Sequence, residues 1–334
     1  TVLWTGDGND DRNITGVGFQ PDMVWEKKRS EAGSHRIADS IRGATNVLFP
    51  DLTNAETSRP NEFQSFISDG FQIGDDDNFN GSSKTYVGWS WKAGTSFTND
   101  ASSTGIGSID SSGSVSDVSG FSICSFTGTG SNGTIKHGLS TAPRMIIFKQ
   151  RNGTGYWLTY HASIGAGTIL RLDTNDAKSD SSVWFQNTDP TSSVFSVGTS
   201  SNNNGSSNTY IAYCLAEKKG YSKFGSYTGN GNADGTFVYT GFKPAWVMIK
   251  RTDGANGWCM FDNKRDPENT VDKTLFAHVN NAESTGIFNS DFLSNGFKIR
   301  DTDADWNASG GTYVYMTFAE NPFVTSTGVP TTAR

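Results

Sequence analysis

Thr85-Tyr86-Val87-Gly88-Trp89-Ser90-Trp91, Thr209-Tyr210-Ile211-Ala212-Tyr213-Cys214-Leu215 and Thr312-Tyr313-Val314-Tyr315-Met316-Thr317-Phe318 are three versions of one segment. In an extended chain, successive side chains point to opposite faces. Val87, Trp89 and Trp91, and their counterparts Ile211, Tyr213, Leu215 and Val314, Met316, Phe318, then share one face. Tyr86, Gly88 and Ser90 and their counterparts share the other. Neither face carries a charge, so each segment reads as a strand in the middle of a sheet. Each follows a loop of Gly, Asn and Ser: Asn80-Gly81-Ser82-Ser83, Asn204-Gly205-Ser206-Ser207 and Ser309-Gly310-Gly311.

Upstream of each closing strand the same features recur in the same order, the mark of internal repetition. An aromatic residue leads into Thr-Gly-x-Gly at Trp4-Thr5-Gly6-Asp7-Gly8, Phe126-Thr127-Gly128-Thr129-Gly130 and Tyr227-Thr228-Gly229-Asn230-Gly231. Gly8 and Pro21, Gly130 and Pro143, and Gly231 and Pro244 keep one spacing. After each Pro an apolar run ends in Lys, at Met23 to Lys27, Met145 to Lys149 and Trp246 to Lys250. Proline at the mouth of a strand fixes φ without removing a ladder hydrogen bond. Further on, His35, Trp157 and Trp258 share one repeat position, and Asp39, His161 and Asp262 share another. A Gly-Phe-x-Ile turn follows at Gly70 to Ile73 and Gly296 to Ile299, with Val194 to Gly198 as its degenerate version in the second repeat.

The expected fold is therefore all-β: three tandem β-sandwich repeats of about a hundred residues, with jelly-roll or lectin-like topology. The repeats fall at 1–95, 119–218 and 219–320. Residues 96–118 read as a Gly/Ser-rich linker or a weak extra hairpin, and 321–334 as a polar tail. Composition agrees. The chain of 334 residues holds 38 Gly, and its apolar content leans on 22 Phe, 10 Tyr and 9 Trp, which suits short strands joined by tight turns.

Several function classes drop out. A formal net charge of -7 argues against nucleic acid as a partner. No apolar run approaches the about 20 residues of a membrane-spanning helix, so membrane insertion is not expected. The absence of an initiator Met suggests that the numbering starts inside a longer chain or after processing. Cys124, Cys214 and Cys259 lack metal or disulfide spacing and read as buried thiols. Nothing recurs that would carry catalysis. No position holds a carboxylate in all three repeats, His35, His137, His161 and His278 do not share a site, and no Gly-x-Ser-x-Gly elbow is present. The Gly6-Asp7-Gly8 turn lacks the helix that a dinucleotide fingerprint needs. The expectation is a binding or structural module, not an enzyme.

Gly18-Phe19-Gln20-Pro21-Asp22-Met23-Val24 and Gly241-Phe242-Lys243-Pro244-Ala245-Trp246-Val247 share the string Gly-Phe-x-Pro-x-x-Val. With Asp69-Gly70-Phe71 and Asn80-Gly81 leading to Thr85-Tyr86-Val87, this resembles a repeated domain of tail-fibre-like, virion surface proteins of tailed bacteriophages, notably marine ones. The second repeat departs from the string, with Ser140-Thr141-Ala142 before its Pro. The resemblance implies location in a virion, as a tail fibre, spike or surface appendage. It also implies other virion proteins as partners, host surface polysaccharide as the ligand and, by analogy with fibres, a homo-oligomer. A capsid decoration protein and a polysaccharide depolymerase are the alternatives.

Candidate ligand residues lie in the third repeat. Asp262 and Arg265, like Asp39 and Arg42, form an Asp-x-x-Arg pair able to grip sugar hydroxyls, or else to close a turn as a local ion pair. The loop Asp301-Thr302-Asp303-Ala304-Asp305-Trp306-Asn307 alternates carboxylates as a calcium loop does. Trp306 and Thr312, however, stand where such a loop needs Gly and a bidentate Glu, so calcium is a weak expectation and a solvated loop the plain one. No other cofactor is implied. Trp157 and Trp258 read as core. Trp306, in a polar loop with no apparent counterpart, is the ring expected to stack on a sugar.

Overall fold

The computed structural model describes residues 1–180 and 182–322. It is built almost entirely of antiparallel sheets, and the three repeats have the same plan. In the first, the sheet order runs Val2–Thr5, Thr85–Trp91, Met23–Lys28, Arg36–Asp39, Asn46–Leu48, Thr57–Ser58. The third repeats this as Ser222–Thr228, Thr312–Ala319, Pro244–Arg251, Trp258–Asp262, Leu275–Phe276. The closing strand lies inside the sheet in all three repeats, between the opening strand and the post-proline strand. A small second sheet covers the outer face of each large one: Arg12–Thr15 with Gly70–Ile73 and Phe63–Ile67, Gly133–Lys136 with Val194–Val197, and Phe237–Tyr239 with Gly296–Ile299 and Ser290–Leu293.

Between each pair of sheets lies a core of that repeat's own residues, for example Trp4, Phe63, Phe71 and Tyr86 in the first. The opposite face of every large sheet packs on the other two repeats. One continuous cluster gathers Trp25, Trp89 and Trp91, Ile147, Trp157 and Tyr213, and Trp246, Met248 and Met316 from the three repeats. Period-two alternation thus sorts the closing-strand residues into a private core and a shared one. The repeats do not run as beads on a line. They close around a common centre, because each presents a large, mostly apolar face that cannot be left in water.

Residues 96–118, expected as a linker, are structured. Thr95–Asn99 and Ser111–Ser116 pair with each other and extend the second large sheet beyond Phe121–Thr127. Of the two expectations, linker or weak extra hairpin, the hairpin is the one present; its side chains are mostly Ser and Thr, so its stability comes from its ladder. The polar tail expected at 321–334 lies, beyond Pro322, outside the described residues.

Short helical turns precede the closing strands at Asp77–Asn80, Ser201–Asn204 and Ala304–Asn307. Asp76, Ser200 and Asp303 cap them by accepting a backbone N–H two residues on. Asn80, Asn204 and Asn307 end them, and each accepts two backbone N–H groups from the Thr-Gly-x-Gly turn, one on its side chain and one on its carbonyl. Gly8, Gly130 and Gly231 stand at φ +72°, +74° and +65°, where a side chain is strained. The turn therefore cradles an asparagine.

Glu26 breaks the pattern. It is fully buried at the sheet position held by Phe148 and Ile249, and neither carboxyl oxygen has a hydrogen-bond partner among the described residues. Burial pushes its pKa well above the ordinary glutamate range, against the opposing pull of Arg36 and Lys27. An acid whose folded-state pKa is raised gives stability that is complete below the unfolded pKa and is lost as pH rises. Glu26→Ile is expected to stabilise the protein by about 1–3 kcal/mol at pH 7. The gain should shrink towards pH 4, a dependence that guanidinium unfolding at the two pH values checks. An equal gain at both would show that Glu26 is not the titrating group.

Candidate functional site

Of the residues expected to bind a ligand, Asp262, Arg265 and Trp306 are interior, while Asp303 is exposed and Asp301 and Asp305 are half-buried. Asp262 and Arg265 have no exposed side-chain surface and form a 2.5 Å ion pair. Trp89, from the first repeat, donates its indole N–H to Asp262 Oδ2 at 3.1 Å. Burial would raise the Asp262 pKa, but the Arg265 charge and the hydrogen bonds it receives outweigh this and hold it below the ordinary carboxylate range. Asp39 and Arg42 form the same pair, and there the Tyr213 hydroxyl of the second repeat donates at 2.6 Å. In the second repeat His161 replaces the aspartate. Its Nε2 donates to the Tyr315 carbonyl of the third repeat at 3.2 Å, and burial lowers its pKa to about 4. The shared repeat position is a joint between repeats, not a sugar grip.

Trp306 is also interior. It is fully buried, stacks on Phe261 at 4.9 Å and donates to Asp301 Oδ1 at 2.5 Å. Its counterparts are Phe79 and Asn203, both buried, each standing directly before the asparagine that ends the helical turn. The three carboxylates of its loop are engaged separately. Asp301 accepts the Asn289 N–H, Asp303 caps the turn, and Asp305 accepts from Asn256 Nδ2. Among the described residues no group of three or more His, Cys, Asp or Glu is placed to hold a metal ion.

Trp157 and Trp258 are buried as expected, and their polar tips face neighbouring repeats. Trp157 Nε1 donates to the Phe49 carbonyl and Trp258 Nε1 to the Arg171 carbonyl, each at 2.8 Å. His35, at the same position, donates from Nε2 to the Phe276 carbonyl at 2.9 Å while its Nδ1 accepts from Trp25. Each repeat thus bonds the next, and the third returns to the first. Lys149 and Lys250, buried at one repeat position, follow the rule by donating to Thr53 and Asn175 carbonyls across the joints. Burial lowers both to a pKa of about 8.

Sequence reading missed the clamp at the rim of two joints. Between the first and second repeats, Arg151 donates from Nε and an Nη to both oxygens of Glu56 at 3.0 Å, and Arg42 adds a bond at 3.1 Å. Between the third and first, Arg29 bonds both oxygens of Glu283 at 2.9 and 2.8 Å, and Arg265 adds one at 3.0 Å. Bidentate, charge-assisted bonds of this kind are strong and directional. The signal was present in Arg29, Arg151, Glu56 and Glu283, but only a partner in another repeat gives those positions meaning. The third joint has Thr252, Lys178 and Ile164 at the three clamp positions, and a cleft of about 350 Å³ opens there. A larger hollow of about 510 Å³ lies among Phe19, Val118 and Tyr221, edged by Lys92, Lys218 and Lys219.

Residues 1–322 match a family described as a domain of unknown function, DUF7483. The chain belongs to this family. The match spans all three repeats and the hairpin between the first two, so a DUF7483 unit corresponds here to the whole closed body and not to one sandwich. No curated protein matches the chain, and no solved structure does.

Proposed function

We propose that this DUF7483 chain is a structural and binding component of a bacteriophage virion, part of a tail fibre, spike or surface appendage, and that it recognises glycan on the host surface. The observation that carries this reading is the division of labour between joints. Two are clamped and apolar at the centre, while the third leaves a hydroxyl-rich cleft at the surface. The tail-fibre-like Gly-Phe-x-Pro-x-x-Val strings support the location. Both sit at the entry to the post-proline strands, where they serve the scaffold.

Binding is tested by adsorbing the labelled protein to host cells and to an array of bacterial polysaccharides. Saturable adsorption, reduced at least tenfold by free host polysaccharide, is expected. Release of reducing ends from that polysaccharide would establish a depolymerase instead. Stoichiometric coating of capsids, without adsorption to cells, would establish a decoration protein.

A further inference from the structure

We propose that the cleft between the second and third repeats is a binding site for a carboxylate-bearing sugar, such as a hexuronic acid residue of an acidic polysaccharide. This rests on the glycan-binding reading and names the ligand class and the place. The molecule contains three equivalent joints, and they are not built alike. At two of them, a glutamate from one repeat meets an arginine from the next and a second arginine from its own. At the third, all three positions differ together: Lys178 for the glutamate, Thr252 for the facing arginine, Ile164 for the other. The backbone contact survives, since Lys178 N–H donates to the Thr252 carbonyl at 2.9 Å, as Glu56 donates to Arg151 and Glu283 to Arg29. The backbones therefore meet in the same way at the third joint, and the space lies where Thr252 and Ile164 stand in place of two arginines.

The cleft's chemistry points to an anionic polyol. Its volume of about 350 Å³ lies near the lower end of the usual range for small-molecule sites, about 300–1,000 Å³, and so suits a single sugar ring. Lys178 lines it, and no carboxylate does. The Lys178 ammonium has no acidic partner among the described residues, and neither do the hydroxyls of Ser163, Ser226 and Thr228 have a hydrogen-bond partner there. Thr252 and Thr312, paired at 2.6 Å, add two more hydroxyls, and Ile164 and Val314 give an apolar wall for a ring's C–H face. A carboxylate at Lys178 would stand where Glu56 and Glu283 hold theirs relative to the facing repeat. The ligand would supply the missing acid of the clamp with the sign of the pair reversed. The corresponding strand ends in the second repeat border a hollow of about 300 Å³ lined by Asp100 and Asp110, which repel an anion.

The experiment titrates the protein with D-glucuronate, D-galacturonate and neutral D-glucose, read by saturation-transfer NMR and calorimetry. Either acid should bind saturably and glucose at least tenfold more weakly. The double variant Lys178→Glu/Thr252→Arg restores the bidentate glutamate–arginine pair of the other joints and should abolish acid binding while unfolding no earlier than the parent. Lys178→Ala, a change at an exposed side chain, should weaken the acids at least fivefold and leave glucose unchanged, and it remains informative if the double variant misfolds. Acid binding that persists in the double variant, acid binding undiminished by Lys178→Ala, or no preference for acids over glucose overturns the proposal. Cell adsorption by the double variant equal to that of the parent overturns the cleft while leaving the broader reading standing.

Discussion

Arg265→Met should cost about 3–5 kcal/mol, the usual penalty for removing one partner of a buried ion pair. Asp262 would keep the Trp89 indole and backbone N–H groups, but its fully buried carboxylate would lose its bonded guanidinium. Glu283 would keep Arg29. The loss should therefore centre on Asp262, and Asp262→Asn in the Arg265→Met background should recover part of it. Guanidinium unfolding of the single and double variants measures this. Equal stabilities of Arg265→Met and the parent would mean that the pair contributes nothing net, as at exposed sites.

A fragment of residues 119–218 should not fold by itself. Alone it would expose Phe121, Ile123, Met145, Ile147, Trp157, Leu170, Leu172, Ile211, Tyr213 and Leu215, which the other repeats cover. At about 1.5–3 kcal/mol per large apolar side chain, that loss is about 15–30 kcal/mol. A whole domain is stable by only about 5–15 kcal/mol. The fragment should lack near-ultraviolet dichroism and aggregate, and the full chain should unfold in one transition, since removing any repeat bares the centre of the other two. A cooperatively folded, monomeric fragment would show that the shared core is dispensable.

Much of the fold was legible because strand periodicity is a local property. Val87, Trp89 and Trp91 announce one face and Tyr86 the other, in all three repeats, with no knowledge of partners. The nature of the covering partner is not local, so the same residues allowed three separate sandwiches as readily as a closed body. The burial of Asp262, Arg265 and Trp306 was hidden for related reasons. Asp262 and Arg265 carry charges, and charge in a polar stretch suggests solvent, but their burial is dictated by Trp89, far away in the chain. Trp306 looked unique because its loop was aligned on Ser309 and Gly310. Aligning on the asparagine before each Tyr of the closing strand sets Trp306 beside Phe79 and Asn203, a buried position in every repeat. The cleft was invisible for the opposite reason, since Thr252 and Lys178 are informative only as departures from Arg29, Arg151, Glu56 and Glu283.

The closure of three repeats around one centre within a single chain has a consequence for how such a body can change. In a trimer of identical chains, any substitution at a joint appears three times, so a mutation that opens one cleft loosens all of them at once. Here the joints are encoded separately. Arg29 with Glu283 and Arg151 with Glu56 hold two seams shut, and the third is free to drift in sequence without endangering the whole. Breaking the symmetry at the level of the gene separates durability from novelty.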